Sequence, residues 1–187
     1  MRQSASMLGS DLAKYPCILN TGAIATGIAC IIGAAGYVRA LLDLGAHRVP
    51  VALIGMCLVL SGVGDIKAGI YPLPDPRHGS WGFLGIAMIL VPVLLAATVW
   101  KLAGAKRLKV YLILSILLIG AMFPIMAGMI DVDRSNYDGL IQRLFAVAVF
   151  PPIGVGAWWL LGVRGVTSSS TGRTSRRSRH ALLDRGT

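Results

Sequence analysis

The chain has 187 residues, 55% of them hydrophobic, with a mean hydropathy of +0.71 and a formal net charge of +10. A water-soluble core does not need that much apolar material, and the 14% of charged residues fall in clumps that leave runs near the twenty residues needed to cross a bilayer, so a soluble fold is excluded. The positive excess sits in connectors and a tail, where it orients a membrane protein, and nucleic acid is set aside as a partner.

Residues 1–16 form a mixed polar segment. The first apolar run extends from Cys17 to Val38, 22 residues or about 33 Å of helix. It is too long, and its N-terminal flank too weakly charged, for a signal peptide. Within it Ala25, Ala29 and Gly33 recur every fourth residue, a small-residue stripe expected to be buried against a neighbouring helix. The second span is predicted over 50–71, opening with Pro50 and stopped by Pro72. The third, 81–100, is bracketed by Trp81 and Trp100, about 28 Å apart along a helix and suited to the two interfacial belts. The fourth, 110–130, contains Pro124, and the fifth, 140–163, contains Pro151 and Pro152, all expected to kink their helices. The Ser/Thr/Arg-rich tail from 164 to 187 has little apolar content to fold around and reads as disordered. The fold expected is an all-α, polytopic transmembrane helix bundle of about five spans.

Five spans sort the charges. One side collects Arg39, Arg48, Lys101, Lys106, Arg107, Lys109 and the six arginines from Arg164 onward. The other holds Arg2, Lys14, Lys67, Arg77, Arg134 and Arg143, balanced by Asp11, Asp65, Asp75, Asp131, Asp133 and Asp138. The basic side is expected in the cytoplasm, which puts the N-terminus outside and the C-terminus inside the cell membrane. The tail is also suited to anionic lipid of the inner leaflet.

This topology gathers polar residues at one level near the outer face. Asp65 and Lys67 lie one to two turns below the outer end of span two, Asn20 and Thr21 begin span one, and Asp131 closes span four. Gln142 and Arg143 open span five, and Asp75 and His78 occupy the loop above. A charged group within a span is costly, so it faces protein or water, and Asp65 is the sharpest instance, with Arg143 as its expected partner. Two readings stand side by side: a ligand or ion site, and an Asp65–Arg143 lock between helices with Lys67 snorkelling to the interface.

Motifs for chemistry are few. All eight acids are Asp, and Cys17, Cys30 and Cys57 are odd in number, lack CxxC spacing, and read as packing residues. No metal or cofactor is expected: His78 has only Asp75 as a carboxylate beside it in sequence, short of three or four ligands. The segment from Asp131 through Asp133 and Ser135 departs from a calcium loop, with Asn136 at the turn glycine and Gln142 at the bidentate Glu. Gly62 and Gly64 start a GxG that Lys67 interrupts inside a span, so no nucleotide site follows.

Two stretches carry a family likeness: Gly69-Ile70-Tyr71-Pro72 with Asp75 and His78, and Gly139-Leu140-Ile141-Gln142-Arg143 opening the last span. Their order and placement over about residues 17 to 163 resemble the domain of unknown function 998 family of prokaryotic multi-pass membrane proteins. The resemblance directs attention to Tyr71, Pro72, Asp75, His78, Gln142 and Arg143 and implies no activity. Members are usually read with six spans, so it also implies a span ahead of the first one here.

The function expected is an uncharacterised, non-enzymatic membrane protein that binds a lipid headgroup or small polar ligand, and in an extended form transports it. The site proposed from sequence comprises Asp65, Tyr71, Asp75, His78, Asp131, Gln142 and Arg143. The alternatives are a lipid-modifying enzyme using Asp75 or Asp65 with His78 as acid and base, and a structural subunit. Partners expected are membrane lipids, the small ligand, and copies of itself or a larger membrane complex.

Overall fold

Helices form where the apolar runs lie, and glycine and proline set their ends. The computed structural model describes residues 5–78, 83–130 and 137–163, and within them all regular structure is helical. A short 3-10 turn, Ala5–Gly9, precedes α1 (Pro16–Asp43), α2 (Arg48–Ile70), α3 (Phe83–Val99) and α4 (Lys106–Met126). Helix α5 runs over Asp138–Val149, bends at Phe150 and continues through 151–163, so that Asp138–Val163 forms one span. Four of these spans are long and apolar enough to cross a membrane. Helix α3, with 17 residues and about 25 Å, is shorter, and Trp81 lies outside the described residues. The sequence-predicted tail and Asp131 also lie outside them.

The apolar boundaries differ from the helical ones for a local reason. Span one was expected to end at Val38, yet α1 continues to Asp43 across an Arg39–Asp43 ion pair of 3.0 Å. It stops at Gly45, whose φ of +77° lets its N–H bond the Leu42 carbonyl while Ala46 bonds Leu41, a Schellman ending. Helix α4 ends the same way, four residues before the expected Ile130: Gly128 at φ +71° bonds Ile125 and Met129 bonds Pro124. Helix α2 ends at Ile70, before Pro72, as its sequence predicts.

We call the end where α1 begins the upper end. Antiparallel α1 and α2 form the closest seam. Gly55, Gly62 and Gly69 recur every seven residues along α2, and a Cβ on Gly69 would lie 2.6 Å from the Asn20 carbonyl oxygen. Gly62 abuts the Gly27 backbone, and Gly55 abuts Val38. The buried face of α1 is therefore Gly27, Ala34, Tyr37 and Leu41. The expected stripe of Ala25, Ala29 and Gly33 is instead exposed, with nothing within 4 Å of a Cβ placed on Gly33. Small residues can mark more than one face, and the glycines of α2 select which one packs.

Toward the lower end a core of Leu41, Ile54, Leu58, Leu95 and Leu112 joins α1 to α4, and Leu160 adds the lower part of α5. There Gly156 sits against the Tyr37 hydroxyl and Leu95. The upper part of α5 takes a different neighbour: Phe145, Ala148 and Val149 cluster with Ile119 of α4. Pro151 and Pro152, which cannot donate to the helical ladder, stand at this change of direction. Large apolar side chains such as Ile32, Leu117 and Trp158 face outward, as a lipid-exposed perimeter requires.

Candidate functional site

Because α1 pairs with α2 while the upper part of α5 leans on α4, a cavity of about 580 Å³ opens between them at the upper end. Asp65, His78, Gln142 and Arg143, all expected from sequence, line it together. Asn20 and Lys67 line it as well. The remaining wall is largely apolar, with Leu84, Met88 and Ile89 from α3 and Phe145 and Val149 from α5.

Asp65 is half-buried, and its carboxylate forms no hydrogen bond or ion pair with any described residue. The expected pairing with Arg143 is not formed. Arg143 instead donates from Nη1 to the Gly139 carbonyl of its own helix at 2.8 Å, one of five N–H groups on the guanidinium. The physical reason is the cavity itself, which lies between α2 and α5 and separates the two charges. Gln142 has a structural task that sequence did not suggest. Its Oε1 accepts from the Ala5 backbone N–H at 2.6 Å, and its Nε2 donates to Ser6 Oγ at 3.4 Å. Asn20 Nδ2 donates to the Gly9 carbonyl at 3.0 Å, so the N-terminal turn is strapped across the mouth from α5 to α1.

Tyr71 and Asp75 are not among the residues lining the cavity, although they flank it in sequence. Arg77 grips the Asp75 carboxylate from Nε at 2.9 Å and Nη2 at 2.6 Å, and its backbone N–H donates to Asp75 Oδ1 at 2.8 Å. The same guanidinium stacks 3.8 Å from the centre of the Tyr71 ring. Held mainly by the Arg77 side chain and then by its N–H, the Asp75 carboxyl ionises at about 2, well below its ordinary value of 3.8. His78 lies 2.7 Å from the Tyr71 carbonyl through Nδ1; since a carbonyl only accepts, Nδ1 carries the proton and Nε2 remains. Asp75 therefore serves the loop, and Asp65 lines the cavity with His78.

Sequence reasoning missed Asp138, Ala5 and Ser6, all in the lining. Asp138 was readable, since it stands four residues before Gln142 and so on the same helical face. The N-terminal turn was not, because nothing local ties residues 5 and 6 to residue 142. Among the described residues no group of three His, Cys, Asp or Glu could hold a metal.

No curated protein and no solved structure matches the chain. The family model described as Protein of unknown function (DUF998) matches residues 1–166, taking in the Tyr71–His78 loop, the cavity and the Gln142–Arg143 helix start. The chain belongs to the DUF998 family.

Proposed function

We propose that this protein lies in the cell membrane with its upper end outward and its C-terminal tail in the cytoplasm, and that the upper cavity binds a lipid headgroup or small polar ligand. The observation that carries the binding reading is Asp65: a carboxylate within a membrane span, facing a cavity and unpartnered by any described residue. An ionised acid within a span is costly, and a bound polar group or cation offsets that cost. The orientation is supported by Arg39, Arg48, Lys101, Lys106, Arg107 and Lys109, which lie near or beyond the lower helix ends.

Filling the cavity tests the binding reading. Ala146 lines it, and Ala146→Trp projects an indole into the space. After extraction in a mild detergent, wild type should retain a ligand that Ala146→Trp releases, with both proteins folded alike by circular dichroism. Equal retention by two folded proteins would sink the reading.

A further inference from the structure

We infer that the ligand is a zwitterionic amphiphile, its ammonium group taken by Asp65, its anionic group by Arg143, and its chain laid along the apolar wall of α3 and α5. This rests on the pocket reading above and narrows it to one chemical class.

Three observations lead there. Asp65 is five residues from the upper end of α2, and Arg143 is five residues from the upper end of α5, so each begins about 7.5 Å below the mouth. They line one cavity, carry opposite charge and do not pair. A ligand with both charges can bridge them, where a direct lock cannot.

Charge balance supplies the second argument. The lining holds two acids, Asp65 and Asp138, and two bases, Lys67 and Arg143. A purely anionic head held by Arg143 leaves Asp65 without a counter-charge, and a purely cationic one held by Asp65 leaves Arg143 without one. In surroundings of low dielectric either leaves an uncompensated charge, which is the costly outcome. A head of zero net charge with separated ends avoids it.

The third observation is the wall. Leu84, Met88, Ile89, Phe145 and Val149 give a soluble zwitterion nothing to bind, whereas an alkyl chain gains with every methylene it buries there. At about 580 Å³ the cavity falls within the roughly 300–1,000 Å³ of small-molecule sites, so it admits a head with the first part of a chain.

The test measures affinities by thermal shift, using full-length protein in an uncharged glycoside detergent. The probes are short-chain phosphatidylethanolamine, phosphatidylglycerol of the same chain length, a single-chain primary alkylamine, and soluble glycerophosphoethanolamine. Phosphatidylethanolamine should bind at least tenfold more tightly than each of the others. Asp65→Asn should abolish its preference over phosphatidylglycerol, and Arg143→Gln its preference over the alkylamine. Phosphatidylglycerol or alkylamine binding wild type as well as phosphatidylethanolamine would overturn the zwitterion and leave the pocket standing. Glycerophosphoethanolamine binding equally well would overturn the amphiphile. If no probe stabilises wild type more than Ala146→Trp, the pocket reading itself fails. Should either charge variant unfold, the wild-type ranking decides alone.

Discussion

Tyr71, Asp75, Arg77 and His78 act as one unit, in which each side chain fixes another. Arg77 is held by the Asp75 carboxylate and stacks on Tyr71, while His78 reaches back to the Tyr71 carbonyl. The folded carboxyl ionises at about 2 against an ordinary 3.8. A depressed carboxylate contributes stability that is fully present above its unfolded value and is lost as pH falls through the folded one. The Arg77 amide, which donates to Asp75, should thus keep its hydrogen-exchange protection factor down to about pH 4 and lose it toward pH 2. In Asp75→Asn the protection should be low throughout. A second residue prediction concerns Tyr37, whose buried hydroxyl has no hydrogen-bond partner among the described residues. An unsatisfied buried group costs about 1–3 kcal/mol, so Tyr37→Phe should raise the melting temperature in detergent. A motif such as Tyr-Pro-x-x-Asp-x-x-His was legible in sequence as a group. That Asp75 serves Arg77, and Asp65 the cavity, was not, because that division depends on which way the loop folds over α2.

Among the elements, the α1–α2 seam shows how glycines at unlike positions behave. A Cβ on Gly27 would press into the Gly62 carbonyl, a backbone atom that cannot rotate aside, whereas one on Gly33 meets open space. Gly27→Ala should therefore destabilise by about 1–3 kcal/mol through overpacking. Gly33→Ala should gain up to about 1 kcal/mol from helix propensity. Unfolding both variants in mixed micelles measures the difference, and equal effects would contradict the seam. The seven-residue recurrence of Gly55, Gly62 and Gly69 was present in the sequence as a signal for this contact. The four-residue stripe on α1 was equally visible and belongs to the exposed face. Composition cannot rank two small faces on one helix; the shape of the partner does.

For the whole molecule, the paths of the helices place the starts of α1 and α5 and the ends of α2 and α4 at the upper end, with the basic connectors at the lower. Single cysteines at Tyr15 and Met129, both exposed, should label from one side in a background lacking the native cysteines. One at Ala103, in the connector between α3 and α4, should label from the opposite side. Labelling of Tyr15→Cys and Met129→Cys from opposite faces would overturn the five-span path. The strap formed by Ala5 and Ser6 on Gln142 also belongs to this scale, since it joins the two chain regions farthest apart in the described residues that line the site.

The all-helical class, the places of the five apolar helices and the grouping of basic connectors were determined by the sequence alone. Each rests on local physics: a backbone in lipid must satisfy its own hydrogen bonds within the helix, and connector charge is counted without knowing any contact. The rotation of α1, the two directions of α5 about Pro151 and Pro152, and the separation of Asp65 from Arg143 were decided only by tertiary structure. In lipid both faces of a helix are apolar, so no hydrophobic stripe announces the packed side, and close fit between particular surfaces chooses it. Asp65 and Arg143 were recognisable as members of one site. The gap between them, where the proposed ligand would sit, exists only once α5 leaves α1 and α2 for α4.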